Sequence, residues 1–170
     1  METCASRVFC IAECGSCHDG DLSKALRLIE AAARAGADAA KFQFYSSAER
    51  LAQRRHAPEH LPIYSCYQMP TRWLQVLKDR AGACGIEFMC TSYLPEDVWQ
   101  VAEYVKTLKI ASFEANDPEL LVAHVAPLNA GRHVLISCGL GARPEPIWQW
   151  LRRGVRDNLR AGTVRLLWCV

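Results

Sequence analysis

Short β-rich apolar runs alternate along this chain with longer stretches of helical spacing. The runs occupy Val8–Glu13, Ala39–Phe44, Glu87–Thr91, Thr107–Ala111, Val134–Ser137 and Val164–Val170. In the first longer stretch, Leu22, Ala25, Ile29, Ala32 and Ala33 fall on one face of a helix. Asp21 is placed to cap its start and Gly36 to end it. Trp73, Leu74, Leu77 and Ala81 line a second helix, which Gly85 ends. Three further helices are predicted over about Pro95–Tyr104, Pro118–Val125 and Pro144–Leu159. One connection, Tyr45 to Pro70, is long enough to predict a lid.

Strand alternating with helix six times implies parallel strands with right-handed crossovers, hence an α/β fold. A doubly wound sheet and a (β/α)₈ TIM barrel both fit that order. Doubly wound strands read as continuous apolar runs, because helices cover both faces. Here polar residues sit inside or at the ends of strands: Glu13, Lys41, Gln43, Thr91, Lys109 and Ser137. Polar side chains at several strand ends are what a barrel gathers at one face. The expectation is a single domain over residues 1–170, built as a partial TIM barrel of about six strands.

Composition narrows the function classes. The 170 residues are 51% hydrophobic, enough for a core, and the formal net charge is only +2. Arg152, Arg153, Arg156 and Arg160 read as the solvated face of a helix, so no nucleic-acid partner is expected. No apolar run approaches the ~20 residues of a membrane helix, and Met1–Arg7 lacks the marks of a signal peptide. A cytoplasmic protein without membrane contact is expected. The nine cysteines are then expected to be thiols, and their odd number argues against a complete disulfide framework.

Cys14-Gly-Ser-Cys-His18 fits C-x-x-C-H, the attachment signature of c-type haem, or more mildly part of a zinc site. The haem reading presupposes export, and zinc needs further ligands at suitable spacing. Side-chain parity accounts for most of the cysteines. With Glu13, Thr91, Ser137 and Trp168 pointing into the barrel, Cys14, Cys90, Cys138 and Cys169 each fall one step outward, into the layer between strands and helices. A thiol there behaves as a small hydrophobe. Cys17 alone falls in the mouth.

The segment Ile11-Ala-Glu-Cys-Gly-Ser-Cys-His-Asp-Gly20 resembles the opening motif of sialic acid synthases, I-A-E-I-G-x-N-H-x-G. Further blocks follow in order. Ala33-Arg-Ala-Gly-Ala-Asp-Ala-Ala-Lys-Phe-Gln43 is similar to A-x-x-A-G-A-D-A-V-K-F-Q, and Phe88-Met-Cys-Thr-Ser-Tyr93 to F-x-S-T-P-F. Leu108-Lys-Ile-Ala-Ser-Phe-Glu114 resembles x-K-I-x-S-G-E, Val134-Leu-Ile-Ser-Cys-Gly139 resembles V-I-L-S-T-G, and Leu166-Leu-Trp-Cys-Val170 resembles L-L-H-C-V. The resemblance implies condensation of phosphoenolpyruvate with the aldehyde of N-acetylmannosamine, its 6-phosphate or a related amino sugar, to give a nonulosonic acid. It implies that Lys41, Thr91, Lys109, Ser112 and Ser137 surround phosphoenolpyruvate. Such a ligand, with a phosphate and a carboxylate, needs cations and hydroxyl donors. Glu13 and Glu114 are the catalytic candidates, suited to proton handling or to holding the sugar, and Gln43 is a weaker candidate for sugar contact.

The chain departs from the family pattern at Cys17 for Asn, Cys90 for Ser, Ser92 for Pro, Phe113 for Gly and Trp168 for His. Phe113 is expected to reshape the pocket, and Trp168 to put an apolar surface at the mouth. A divalent metal, manganese or magnesium, is implied for the family, but its two histidine ligands lie beyond the sixth strand. His18, His56, His60, His124 and His133 do not match them, so no metal ligand is assigned in this chain. His18 belongs to the first loop, and His56 and His60 are expected to be solvated. The chain is expected to end within strand 6, to catalyse poorly alone, and to self-associate or pair with a complementing chain. A non-catalytic half-protein acting by association is the alternative to the enzyme.

Overall fold

The computed structural model describes residues 7–139, 144–145, 147–149 and 163–169. Six parallel strands form one sheet in the order β1-β2-β3-β4-β5-β6. They are β1 (Ile11–Gly15), β2 (Ala39–Phe44), β3 (Glu87–Ser92), β4 (Thr107–Ile110), β5 (His133–Cys138) and β6 (Val164–Trp168). Helices α1 (Leu22–Arg34), α2 (Ala48–Arg54), α3 (Leu61–Tyr67), α4 (Trp73–Ala83), α5 (Val98–Ala102) and α6 (Pro118–Asn129) connect the first five. Strictly sequential order is that of a barrel, because a doubly wound sheet reverses direction at its switch point. The sheet is a half-barrel.

Local chemistry sets most boundaries. Asp21 accepts a hydrogen bond from the Ser23 amide at 2.8 Å and caps α1. Asp117 caps α6 by accepting from the amides of Glu119 and Leu120. The α6 helix runs past the expected Val125 to Asn129, with Pro127 inside it. Proline there removes one hydrogen bond and crowds the carbonyl four residues back, and Pro127 and Leu128 are buried, so packing carries the last turn. The strand expected from Val8 begins instead at Ile11, which is level with the first residue of β2; Val8 and Phe9 are exposed. The segment expected as one helix from Pro95 opens with a 3₁₀ turn, Pro95–Asp97, before α5. The long connection is not a plain loop, since it folds into α2, a 3₁₀ turn (Pro58–His60) and α3. The helix expected over Pro144–Leu159 falls mostly outside the described residues.

Two apolar layers follow from the alternation. Phe42, Phe88, Leu108, Ile110 and Ile136 point outward and pack on Ile29, Leu74, Leu77 and Leu120 of the helices. Each such side chain, fully buried, stabilises the fold by roughly 1.5–3 kcal/mol. Ala39, Met89 and Leu135 point the other way and, with Ile11 and Leu167, make a small inner layer.

The cysteines follow parity except at β6. Cys14, Cys90 and Cys138 are buried in the outer layer and Cys17 is exposed, as expected. Cys169 is exposed, contrary to expectation. Ser137 pairs with Leu167 and Cys138 with Trp168, so Leu167 shares the inward parity of Ser137. Trp168 therefore takes the outward parity of Cys138 and stands 77% exposed, and Cys169 lies just past the strand end.

Candidate functional site

At the carboxyl ends of the strands, the inner face opens into a cavity of about 350 Å³. Its walls include Glu13 from β1, Lys41 and Gln43 from β2, Thr91 from β3, Lys109 from β4, Ser112 just beyond β4, and Ser137 from β5. Seven of the eight site residues read from the sequence thus meet in one space. The registers explain this: Glu13 is level with Lys41, Gln43 with Thr91, and Thr91 with Lys109. Leu135 and Leu167 of the inner layer, with Ile11, give the cavity an apolar floor.

Two buried cations dominate the mouth. Lys109 is 6% exposed; its ammonium donates to Ser137 Oγ and to the carbonyl of Ile110, both at 2.6 Å. An ammonium has three donors, so one remains for a ligand. Burial, reinforced by the like charge of Lys41, pushes Lys109 down to about 8. Lys41 is 8% exposed and ion-paired with the more open carboxylate of Glu13. Glu13 is further fixed by the Gly15 amide, which donates to its Oε1 at 3.1 Å. That amide turns back because Gly15 sits at φ 49°, beside an irregular step in the β1–β2 register, and such a φ favours glycine. The Ser16 hydroxyl donates to Gln43 Oε1 at 3.1 Å and holds the amide against the first loop.

The eighth residue, Glu114, does not face this cavity. It is 8% exposed and lines a second cavity of about 450 Å³, roofed by α2 and α3. Arg55 grips it there, with Nε donating to Oε1 at 3.1 Å and Nη2 to the same oxygen. The guanidinium lies 4.7 Å from the Tyr93 ring centre and 5.7 Å from that of Tyr64. Tyr93 lines both cavities. The sequence reading passed over Tyr93, although it lies two residues beyond Thr91 and shares its parity. It also passed over Ser16 and Arg55. Arg55 carries no local signal, because its place depends on how the long connection folds.

A family model described as the NeuB family matches residues 28–161. The chain belongs to the NeuB family. Among relatives, the spore coat polysaccharide biosynthesis protein SpsE of Bacillus subtilis is 39% identical over 72% of this chain and 35% of its own length. A pseudaminic acid synthase of Campylobacter jejuni is 32% identical over 82% of this chain and 43% of its own. The crystal structure of an N-acetylneuraminic acid (sialic acid) synthetase from Leptospira borgpetersenii, in complex with citrate, superposes with a TM-score of 0.79 at 32% identity. That match covers 96% of this chain and 54% of the other. The chain thus spans about half, or less, of the relatives it matches.

Within this NeuB-family chain the C-x-x-C-H segment is not arranged as a ligand set. Cys14 is buried in the outer layer, where desolvation raises its thiol to about 11, while Cys17 is exposed. His18 is fully buried, edge-on to Trp73, and its Nδ1 accepts from the Gly20 amide at 3.1 Å. Among the described residues, no group of three or more His, Cys, Asp or Glu is placed to hold a metal ion. The described side chains therefore offer no donor set that fits a divalent metal ion. Among the described residues, no helix is long and apolar enough to cross a membrane.

Proposed function

We propose that the mouth binds phosphoenolpyruvate, and that the chain belongs to an enzyme condensing it with the open-chain aldehyde of an N-acylated amino sugar. The product is a nonulosonic acid. One observation carries the reading: Lys41 and Lys109, from alternate strands, are both buried at one small cavity and ringed by the hydroxyls of Thr91, Ser112 and Ser137. Lys41 has only the half-open Glu13 carboxylate as counter-ion, and Lys109 is held by neutral oxygens alone; buried like charges are costly, and a ligand with both a phosphate and a carboxylate offers an anion to each. The names of the sialic, pseudaminic and spore-coat relatives support the same chemistry.

In this reaction, C3 of phosphoenolpyruvate bonds to the aldehyde carbon, whose oxygen takes a proton and becomes a hydroxyl. Water adds at C2, the C2–O bond to the phosphoryl group breaks, and inorganic phosphate leaves with the 2-keto acid formed. Lys41 and Lys109 hold the two anionic groups throughout. Glu13, relieved of part of its pairing when Lys41 turns to the ligand, is placed to take the proton of the attacking water. Gln43, fixed by Ser16, offers its amide to an acceptor hydroxyl. The test is calorimetric titration of phosphoenolpyruvate into the chain and into Lys41→Ala and Lys109→Ala. Each lost charge-assisted bond should cost roughly 1.5–3 kcal/mol, and unchanged affinity in both variants would reject the assignment.

Association with another chain, as self-association or with a complementing polypeptide, is the second reading. It rests on β1 and β6, which among the described residues each pair with one strand, and on the exposed apolar side chains Phe9, just before β1 and 54% exposed, and Trp168, the last residue of β6 and 77% exposed. Sedimentation across a hundredfold concentration range tests it. A single concentration-independent monomer would remove self-association.

A further inference from the structure

We infer that Lys109 is also a nucleophile, whose Nζ condenses with the keto group of a small 2-keto acid such as pyruvate to give an imine held in the mouth. The condensation proposed above needs no such bond, so this is a second chemistry in the same cavity. Lys109 reaches the cavity from β4 while only 6% exposed, so its nitrogen is stripped of most water. Its hydrogen-bond partners are neutral oxygens, Ser137 Oγ and the Ile110 carbonyl, both at 2.6 Å. Among the described residues, no carboxylate forms an ion pair with it. A second cation, Lys41, lines the same cavity. Burial without a paired counter-ion, beside a like charge, lets a lysine carry its neutral, nucleophilic form near neutral pH. Both effects act here, and together they pull Lys109 down to about 8.

Hydrogen bonding aims the nitrogen. A neutral amine has two N–H bonds and one lone pair. Ser137 Oγ and the Ile110 carbonyl accept the two N–H bonds, and the remaining tetrahedral direction at Nζ is left to the lone pair, at a side chain that lines the cavity. Lys41 is suited to the other end of the ligand. Its present partner, Glu13, is the more open member of their ion pair, so a ligand carboxylate can take its place. Thr91 and Ser112 offer hydroxyls on the same walls. The step balances without an oxidant, a reductant or a further reactant. The Nζ lone pair forms a bond to C2, and the carbonyl π pair moves onto oxygen. That oxygen collects the two amine protons, relayed by Ser137 Oγ or solvent, and leaves as water. A C2=Nζ double bond remains. Any 2-keto acid formed in this mouth, that of the proposed condensation included, belongs to the class this lysine would hold.

The test incubates the whole chain with pyruvate and cyanoborohydride, which reduces an imine to a stable amine, and maps the added mass by peptide analysis. Lys109 should be modified at least tenfold faster than the exposed Lys78 and Lys106. Its rate relative to a lysine-containing reference peptide in the same tube should fall about fivefold from pH 8 to 9. Across that unit a group near 8 gains less than about twofold in neutral fraction, and an ordinary lysine near 10.4 gains about tenfold. Lys109→Arg keeps the charge, forms no imine, and should lose the fast adduct. In the unmodified chain, phosphoenolpyruvate should suppress labelling of Lys109 and leave that of Lys78 unchanged. Modification of Lys109 no faster than of Lys78, preference for Lys41, or a relative rate constant with pH would each overturn the inference. Fast labelling of Lys109 that phosphoenolpyruvate does not suppress would leave the imine standing and remove the phosphoenolpyruvate reading of the mouth instead.

Discussion

Raising the pH from 7 to 9 should weaken phosphoenolpyruvate binding about tenfold, through Lys109 alone. This lysine is 6% exposed and held down to about 8 by burial and by the neighbouring charge of Lys41. A group titrating near 8 is about nine-tenths protonated at pH 7 and about one-tenth at pH 9, whereas an ordinary lysine near 10.4 stays charged throughout. The ligand binds the charged form, and the bound anion lifts the titration of Lys109 above this range. Apparent affinity then falls with the protonated fraction, by about tenfold or 1.4 kcal/mol. A phosphate monoester completes its second ionisation near 6, so the ligand's charge is constant across the window. Calorimetry in two buffers of different ionisation enthalpy should show proton uptake approaching one per ligand at the upper end. Lys109→Arg keeps the charge at every pH and should flatten both curves. A flat profile in the unmodified chain, or a tenfold loss that persists in Lys109→Arg, would refute the reasoning. The empty protein should move the other way. Its native state binds fewer protons than the unfolded chain between about 8 and the ordinary lysine value, so the Lys109 contribution to stability rises with pH across that window.

Further outcomes follow from other sites. His124 is on the buried face of α6, its Nδ1 paired with the Leu120 carbonyl at 2.8 Å, and burial pushes it down to about 4. Its contribution to stability should be complete above 6.5 and fall by about 3 kcal/mol as pH drops to 4, and His124→Leu should lessen that dependence in denaturant titrations. Asp117→Ala removes both the α6 cap and the partner of Arg54, and should lower stability by at least ~1 kcal/mol in the same assay. Maleimide labelling of the folded chain should modify Cys17 and Cys169 well before Cys14, Cys90 and Cys138; equal rates for all five would contradict the outer-layer placement. Leu77→Ala, at a fully buried position between α4 and the sheet, should cost about 2–5 kcal/mol in the unfolding midpoint analysis.

The mouth was legible in the sequence because a barrel writes it in a simple code. Each inward polar residue stands inside or at the end of a strand between mostly apolar neighbours, so Glu13, Lys41, Thr91, Lys109 and Ser137 could be aligned by parity before any geometry was known. The same reasoning failed at β6. Leu166, Leu167 and Trp168 are all apolar, so no polar residue marks the inward face, and a one-residue slip exchanges the faces. It also failed for Glu114. That residue stands four beyond the last residue of β4, where parity no longer holds. Its partner Arg55 follows α2, a helix of seven residues whose own pattern is too short to place it. Interactions fixed by strand register were open to inspection, and those fixed by how the long connection folds were not.

Glu13 and Lys41 lie 28 residues apart in sequence, as do Lys109 and Ser137. In a sheet where every strand pairs only with its sequence neighbours, each of these pairs closes within its own pair of strands. The sheet therefore resembles a short repeat array, in which stability spreads by nearest-neighbour contact and one end can open while the other stays shut. The cavity interrupts that independence. A single anion held between Lys41 and Lys109 connects the β1–β2 unit to the β4–β5 unit, so local opening of either would release it. Slow hydrogen exchange should accordingly spread on ligand binding from the middle strands to both units together.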